Sequence, residues 1–400
     1  MTESAPRGVR LVIAIVGRRN AGKSSLINAL AGQDIAIVSE TPGTTTDPIA
    51  KHYELLPLGP VTFHDTAGLD DTGELGALRV KAARKVLWRS DVAIMVVGEE
   101  GLAEREHAIL DEVRRLDIPF VLAFNKTDIR EPSAEDIAFC QSQGIPHLAV
   151  SARNRTNITA LKQALIDLAP AEFKTEPALA RDLFDEGDWV VCVVPIDLAA
   201  PKGRLILPQV QVLRDILDGD AMAVMVKERE LEAALTSLGR VPALVITDSQ
   251  AVLKVAGDVP EEVPLTTFST LFARHKGDLE QLIQGAEAID SLQDGDHVLV
   301  AEACSHHPVA DDIGRVKIPR WITRHTGKDL HFEFYAGHDF PEDLERYSLA
   351  VHCGACMINR REMLRRIAEC RRRGVPITNY GVAISAVQGV LQRVIAPFRR

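Results

Sequence analysis

Short apolar runs alternate with amphipathic stretches along almost the whole chain. Runs at residues 9–16, 61–64, 120–124 and 147–150 each have the length of one strand. Residues 158–169 carry apolar side chains at helical spacing. Strands that alternate with helices are typical of a mainly parallel sheet with helices on its faces. The pattern therefore predicts an α/β fold for this part of the chain.

The alternation resumes after residues 170–177, which begin and end with proline and predict a linker. Together these patterns divide the 400 residues into three predicted α/β domains, at 1–172, 178–262 and 265–400. Beyond the linker we expect strands at 190–194, 221–226, 243–247, 297–301, 330–335, 349–351 and 375–378, and helices at 210–217, 228–238, 278–289, 361–372 and 383–394.

Composition narrows the class of protein. With 46% hydrophobic and 26% charged residues the chain is typical of a globular protein, and a formal charge of -10 disfavours nucleic acid as a general partner. No apolar run reaches the ~18 residues that a membrane span needs, and the N-terminus lacks the apolar core of a secretory signal. Six cysteines in a chain of this length do not make a disulfide framework. We expect a cytoplasmic, reduced setting without a membrane partner.

The first strand leads directly into a phosphate-binding motif. Residues 17–24 read G-x-x-x-x-G-K-S, and a helical pattern follows them. A strand before this motif and a helix after it are the context that the motif requires. Glycines allow main-chain N–H groups to surround phosphates, and the helix N-terminus attracts negative charge. We expect Lys23 to reach the β- and γ-phosphates and the Ser24 hydroxyl to bind Mg²⁺.

Three further strand ends add the parts of a GTP site. Asp65, in Asp-Thr-Ala-Gly68, is placed to hold Mg²⁺ and Gly68 to meet the γ-phosphate, while the loop 42–47 between the two motifs supplies Thr44 and Thr45. The sequence Asn125-Lys-Thr-Asp128 provides a carboxylate that can accept two guanine hydrogen bonds. The turn Ser151-Ala152-Arg153 follows the strand at 147–150, and its main chain is expected to contact the guanine O6. Lys23, Thr45 and Gly68 are the predicted catalytic residues, and Ser24, Thr45 and Asp65 the predicted Mg²⁺ residues. The predicted GTP-binding residues are Gly17, Asn20, Ala21, Gly22, Lys23, Ser24, Ser25, Thr44, Thr45, Asp65, Gly68, Asn125, Lys126, Asp128, Ser151 and Ala152.

This ordered set of motifs resembles the GTPase domains of the TrmE-Era type. Within that resemblance Leu69 stands where Ras-like GTPases keep a glutamine that orients water. Asn20 matches an asparagine that coordinates K⁺ in potassium-activated relatives, which implies slow hydrolysis raised by K⁺. The alternative is that Asn20 only braces the loop.

A second group of candidate residues is split between two distant strand ends. Cys304, His306 and His307 follow the strand at 297–301, and His352-Cys353-Gly-Ala-Cys356 follows the strand at 349–351. Ligand groups gather at the carboxyl ends of strands in α/β sheets, so the two stretches can meet in one site. Three thiolates beside a histidine suit structural zinc or an iron–sulfur cluster, and the ligands alone leave both open. His306 is a candidate fourth ligand, His352 a candidate for orienting the site, and His307 is expected to face away.

The GTPase motifs combined with this split Cys/His pattern resemble the HydF family. The resemblance extends over essentially the whole chain and includes Lys202-Gly-Arg-Leu-Ile-Leu-Pro-Gln-Val and Ala301-Glu-Ala-Cys-Ser-His-His-Pro. Members are the GTPase and scaffold proteins of [FeFe]-hydrogenase maturation. The resemblance implies a 4Fe–4S cluster on Cys304, Cys353 and Cys356 with one exchangeable position. It also implies a transient diiron precursor, two radical-SAM partners (HydE- and HydG-like), and delivery to apo-[FeFe]-hydrogenase.

The resemblance leads to an expected order of an N-terminal P-loop GTPase domain, a small dimerisation domain and a C-terminal iron–sulfur domain. The middle unit lacks a cluster of titratable residues, so we expect it to support a homodimer. A different class of function also fits part of the sequence, namely an RNA-modification or ribosome-assembly GTPase with a structural zinc site.

The remaining cysteines and an arginine-rich helix receive simpler interpretations. Cys140, Cys192 and Cys370 are expected in the core. The arginines at 360–373 are interpreted as a solvated helix face with Leu364 and Ile367 inward, and alternatively as a basic rim for an anionic diiron unit or an acidic partner.

Overall fold

The computed structural model describes residues 10–32, 49–66, 73–174, 178–195, 205–303, 312–355 and 357–399. The chain forms two compact units, Met1–Glu176 and Pro177–Arg400. Both are α/β units, as the sequence predicts.

The first unit is built on a six-stranded sheet in the order β2-β3-β1-β4-β5-β6. Only the β2–β3 pair is antiparallel among the pairs that the structure describes. Both faces of the sheet carry an apolar layer of buried side chains. Its strands are β1 (Leu11–Val16), β2 (Ile49–Leu55), β3 (Gly59–Asp65), β4 (Val92–Val97), β5 (Phe120–Phe124) and β6 (His147–Ala149). Its helices are α1 (Lys23–Ala31), α2 (Gly73–Arg89), α3 (Glu104–Arg115), α4 (Ala134–Ser142), α5 (Ile158–Leu168) and α6 (Ala171–Lys174).

The second unit contains two four-stranded parallel sheets in the orders β10-β9-β7-β8 and β12-β11-β13-β14. The strands of the first of these sheets are β7 (Trp189–Val193), β8 (Met222–Val226), β9 (Leu244–Thr247) and β10 (Leu265–Thr267). Those of the other are β11 (His297–Glu302), β12 (His331–Ala336), β13 (Leu349–His352) and β14 (Ile377–Asn379). The helices are α7 (Leu207–Asp218), α8 (Leu231–Leu238), α9 (Val252–Asp258), α10 (Phe268–Lys276), α11 (Leu279–Glu287), α12 (Ile318–Thr326), α13 (Arg360–Arg372), α14 (Tyr380–Val387) and α15 (Leu391–Ile395).

Two features of this unit differ from the expected elements. Strand β10 pairs with β9, so the sheet of the second predicted domain takes a strand from the start of the third. The single helix expected at 383–394 is wrong, because α14 ends at Val387 and α15 begins at Leu391. Gly389 has a φ of +73°, and the N–H groups of Gly389 and Val390 bond back to Ala386 and Ser385. This left-handed glycine turn ends a helix that the apolar pattern alone would continue.

Within the described residues no helix is both long and apolar enough to cross a membrane.

Candidate functional site

The phosphate-binding loop has the backbone that its glycines predict. Gly17 and Gly22 have φ values of +148° and +93°. A Cβ on Gly17 would lie 2.3 Å from the Val96 oxygen, and one on Gly22 would lie 2.2 Å from Asn125 Nδ2. Both positions therefore require glycine. The loop ends at the N-terminus of α1, where main-chain N–H groups are available to an anion.

Lys23 and Ser24 are the first two residues of α1. The Lys23 side chain contacts the phosphate-binding loop, and the Ser24 side chain contacts a predicted Mg²⁺ residue. Lys23 is buried, and its Nζ donates to the main-chain oxygens of Gly17 at 3.0 Å and Arg18 at 2.8 Å. Ser24 Oγ donates a hydrogen bond to Asp65 Oδ2 at the end of β3. The structure thus brings together two of the three predicted Mg²⁺ side chains. Thr44, Thr45, Gly68 and Leu69 lie outside the described residues.

Asn125 connects the phosphate loop to the turn that is predicted to contact the base. Its Nδ2 donates to the Ala21 oxygen at 3.0 Å, and its Oδ1 accepts from the Ala152 N–H at 3.0 Å. The side chain is 3% exposed. One amide therefore holds two segments that are more than a hundred residues apart in sequence.

The predicted guanine-binding carboxylate is fixed by its neighbour. Asp128 Oδ1 accepts from Ser151 Oγ at 2.6 Å, and Ser151 Oγ accepts from the Asn154 N–H at 3.1 Å. The hydrogen bond from Ser151 lowers the pKa of Asp128, and the nearby Arg153 and Lys126 charges lower it further. Asp128 is exposed, so its charged carboxylate is open to a base.

The second candidate site forms where β11 and β13 end side by side. The two strands are parallel, with Ala301 opposite His352. The Cys353 N–H donates to the Ala301 oxygen at 2.8 Å, and the Ala303 N–H donates to Cys353 Sγ at 3.0 Å. The residue before Cys304 therefore touches the Cys353 sulfur, as the strand-end argument predicts. Cys304, His306, His307 and Cys356 lie outside the described residues, and among the residues that the structure describes there is no group of three or more potential metal ligands.

A buried lysine, not identified from the sequence, holds the loop that follows Cys353. Lys276 is 4% exposed, and its Nζ donates to the oxygens of Ala355 at 3.1 Å and Ile358 at 2.9 Å. Ala355 has a φ of +56°, which is uncommon for a residue with a Cβ. The cation satisfies carbonyl groups in a tightly curved loop that carries the predicted ligands.

His352 is fully buried, and both of its ring nitrogens have partners. Nδ1 lies 2.8 Å from the Cys353 oxygen and Nε2 lies 2.9 Å from Arg366 Nη1. Because a guanidinium can only donate, Nε2 accepts and Nδ1 carries the proton. Burial, together with the Arg366 charge, lowers the pKa of His352 to about 3. This arrangement suits the predicted role of orienting the site, which stays a prediction.

The interpretation of the arginine-rich helix as a wholly solvated face is wrong for Arg366. Its side chain is 0% exposed, and it donates to Glu362 Oε1 at 2.7 Å and to the Gly337 oxygen at 3.0 Å. Glu362 also lies 3.1 Å from His338 Nδ1. Arg366 is inward because a carboxylate one turn away pairs with its charge and the His352 ring accepts one of its hydrogen bonds in the core.

The other side chains of this helix divide between core and surface. Ile367 is buried as expected, whereas Leu364 is only half-buried. The three cysteines assigned to the core, Cys140, Cys192 and Cys370, are buried, and burial raises the pKa of the last two to about 12.

The described fold and the phosphate loop define a P-loop GTPase domain. Residues 12–126 match the model of the 50S ribosome-binding GTPase family. The tRNA modification GTPase MnmE of Chromobacterium violaceum is 35% identical over 158 residues, which are 39% of this chain and 34% of that protein. MnmE of Synechococcus sp. strain RCC307 is 30% identical over 245 residues, 60% of this chain and 48% of that protein. The chain thus spans about a third to a half of the length of these relatives.

Solved structures of GTPases are also similar to part of the chain. Era of Aquifex aeolicus, bound to GDP and AlF₄⁻, is 21% identical and covers 54% of this chain and 92% of its own, with a TM-score of 0.35. The G domain of the T. maritima FeoB iron transporter is 23% identical and covers 40% of this chain and 98% of its own, with a TM-score of 0.32.

The second unit identifies the particular family. Residues 179–277 match the hydrogen maturase F dimerization domain, and residues 280–397 match the hydrogen maturase F tetramerization domain. Together these two models span more than half of the chain. The chain therefore belongs to the hydrogen maturase F family, which confirms the resemblance to HydF drawn from the motifs.

Proposed function

We propose that this GTPase of hydrogenase maturation carries a 4Fe–4S cluster and acts as a scaffold for the diiron precursor of the [FeFe]-hydrogenase active site. The observation that carries the proposal is the hydrogen bond from the Ala303 N–H to Cys353 Sγ. It joins the two halves of a motif that are 50 residues apart. A main-chain N–H donated to sulfur stabilises the thiolate, which is the form that binds iron.

The charges around this loop also fit an anionic cluster. Lys276 and Arg366 are buried cations that contact the loop and the adjacent His352. Three thiolates bring negative charge to this place, and nearby cations offset it. The residues that would hold the cluster are Cys304, Cys353 and Cys356, with His306 as a candidate for the remaining position. A cluster held by three cysteines supplies one iron position at which an incoming group can bind.

In the proposed cycle the chain receives the diiron precursor from radical-SAM maturases, HydE- and HydG-like, and delivers it to apo-[FeFe]-hydrogenase. GTP hydrolysis would use Lys23, Thr45 and Gly68, with Mg²⁺ at Ser24, Thr45 and Asp65. Its coupling to partner exchange requires that a partner binds the GTP and GDP forms with different affinity. We propose that this cycle takes place in the cytoplasm.

We also propose K⁺ as an activator at Asn20, which has a φ of +63° in the phosphate loop. Asn20 would then supply an amide oxygen to the cation beside the phosphates, and K⁺ would add positive charge in a GTPase whose sequence has Leu69 in place of a glutamine that orients water. Turnover is expected to be several-fold higher in KCl than in NaCl at equal ionic strength. Equal rates would remove this part of the proposal.

Self-association fits one edge of the first sheet in the second unit. Strand β8 is an edge strand with the apolar sequence Met-Ala-Val-Met-Val, and its first residue is 39% exposed. An edge strand presents main-chain groups that a second copy can pair with. We propose a homodimer through this edge, in agreement with the description of the family model that matches residues 179–277.

The alternative of an RNA-modification or ribosome-assembly GTPase with structural zinc is supported by the likeness to MnmE and by the match of residues 12–126 to the 50S ribosome-binding GTPase model. That likeness covers at most 60% of the chain in the relatives given above. The hydrogen maturase F models match the region with the cysteines, and the formal charge of -10 disfavours RNA.

The decisive experiment is anaerobic reconstitution with Fe²⁺ and sulfide. We expect iron and sulfide in equal amounts, broad visible absorption, and loss of both when Cys304, Cys353 or Cys356 is replaced by serine. Cys192→Ala, in the core of β7, is the matched control and is expected to keep the cluster. Stoichiometric zinc without iron in the wild-type protein would reject the cluster. The same variants are then tested for activation of apo-hydrogenase in the presence of the two radical-SAM maturases.

A further inference from the structure

The end of helix α10 lies directly against the loop of Cys353. The helix begins at β10, where Thr267 Oγ1 accepts from the Thr270 N–H at 3.1 Å. It ends nine residues later at Lys276, followed by Gly277. The helix thus extends from the sheet of the region that matches the dimerization model to the loop of the predicted metal ligands.

Close packing fixes the position of this helix end. A Cβ on Gly277 would lie 2.9 Å from the Ala273 oxygen, 3.2 Å from Leu282 Cδ1 and 3.3 Å from Ile367 Cδ1. The glycine therefore allows α10 to approach α11 and α13 closely. At the start of α13, Arg360 Nη1 donates to the main-chain oxygen of His275, which ties the two helices together.

Lys276 lies at this fixed helix end and contacts the main chain of the loop that follows Cys353. Its Nζ is within hydrogen-bond distance of two carbonyl oxygens that flank Cys356 and Met357. The Ala355 oxygen also accepts from the Ile358 N–H at 3.3 Å. A buried ammonium is costly unless it is hydrogen-bonded, so its placement here links the ammonium to this loop conformation.

We propose that Lys276 is a positioning residue for the predicted metal-binding loop 353–358 and places one positive charge against the main chain of this loop. The inference rests on the proposed cluster for its charge effect, but the positioning effect applies to the metal-free protein as well. The side chain comes from the region matched by the dimerization model and acts on a loop in the region matched by the tetramerization model. It therefore gives the oligomerisation module a direct contact with the cluster site.

The test compares Lys276→Met, which keeps most of the volume and loses the charge, with Lys276→Arg, which keeps the charge. Lys254→Met is the control, because Lys254 is an exposed lysine on α9. Circular dichroism and GTP turnover establish that each variant is folded. The first readout is hydrogen exchange of peptides that span residues 353–359 in the metal-free protein. We expect exchange at least ten-fold faster in Lys276→Met and wild-type exchange in Lys254→Met.

The second readout is the midpoint potential of the reconstituted cluster, measured by redox titration with EPR detection. Loss of a nearby positive charge shifts the potential to more negative values in Lys276→Met, whereas Lys276→Arg stays close to wild type. Wild-type exchange together with wild-type potential in Lys276→Met would overturn the inference. A wild-type protein that binds no cluster would reject the proposed function instead, and the exchange readout would still decide the role of Lys276.

Discussion

Arg366 Nη1 lies 2.9 Å from His352 Nε2, and neither side chain is exposed to solvent. The same guanidinium binds Glu362, so a complete ion pair lies in the core beside the Cys353 loop. The contact between Arg366 and His352 joins α13 to the end of β13 and fixes the ring next to a predicted ligand.

Replacement of Arg366 by methionine is expected to destabilise the Pro177–Arg400 unit by about 3–5 kcal/mol, because it leaves the Glu362 carboxylate buried without its cation. The measurement is the urea midpoint of this unit, followed by hydrogen exchange of its peptides. Arg372→Met, which breaks an exposed pair with Glu369, should cost less than about 1 kcal/mol. The double variant Arg366→Met/Glu362→Gln should cost less than the sum of its single changes. An effect of Arg366→Met as small as that of Arg372→Met would contradict the role given to the ion pair.

The lowered pKa of His275 implies that the stability of the Pro177–Arg400 unit depends on pH. Burial, together with the charges of Lys276 and Arg360, lowers this pKa to about 4, while Asp215 and a bond to Ala178 act in the opposite direction. The unfolded chain therefore binds a proton near pH 6.5 that the folded chain does not bind until about pH 4. Stability from this residue is complete above about pH 6.5 and is lost as the pH falls towards 4, by up to about 3 kcal/mol.

His275→Gln should remove this part of the pH dependence. The measurement is the difference in urea midpoint between wild type and variant at several values from pH 4.5 to 7.5. A difference that stays constant over this range would contradict a neutral, half-buried His275.

Asp128→Asn tests how the base is chosen. An amide cannot accept both of the hydrogen bonds that guanine donates, so GTP affinity should fall at least about 100-fold. Xanthine carries a carbonyl where guanine has its amine, and XTP should bind the variant better than GTP does. The measurement is titration with fluorescent nucleotides, with Asp167→Asn on the exposed face of α5 as control. An unchanged preference for GTP in Asp128→Asn would show that guanine is recognised by residues other than Asp128.

The edge strand β8 gives a test of self-association. The Met222 N–H donates to Asp188 and the Val226 oxygen accepts from Val194, so both residues face β7. Because alternate residues of a strand face opposite neighbours, the main-chain groups of Met225 point away from β7. Met225→Pro removes one outward donor while the ladder to β7 is kept, and should convert a dimer into a monomer.

Light scattering at micromolar concentration measures the outcome of this change. Val241→Lys alters another exposed apolar residue, 72% exposed, and should leave the dimer intact. Circular dichroism must be unchanged in both variants. A dimer that survives Met225→Pro with an unchanged dissociation constant would exclude this edge as the interface.

The sequence predicts those parts of the fold that depend on local pattern. Strand β1 and the phosphate loop follow from an apolar run and fixed glycines, and the meeting of Ala303 with Cys353 follows from two strand ends in one parallel sheet. The buried charges were not predictable in this way. Arg366 lies in a run of arginines, and only the tertiary contact with His352 distinguishes it from its solvated neighbours.

Other misses have the same cause. Lys276 ends an ordinary helix, and its partners are main-chain oxygens some eighty residues away, which carry no sequence signal. Strand β10 has only three residues and is recognised through its pairing with β9. The break at Gly389 could have been inferred, because glycine is the preferred residue just beyond a helix end.

The position of Asn125 has a consequence for how the nucleotide is received. Its amide hydrogen-bonds both Ala21 and Ala152. The phosphate loop and the turn that is predicted to contact the base are thus connected by the protein's own side chain, which lowers the free energy lost to ordering them when the nucleotide binds. Removal of the Asn125 amide should weaken the binding of every purine nucleotide, whatever its base, because the phosphate loop and the turn at Ala152 then lose their common hydrogen-bond partner.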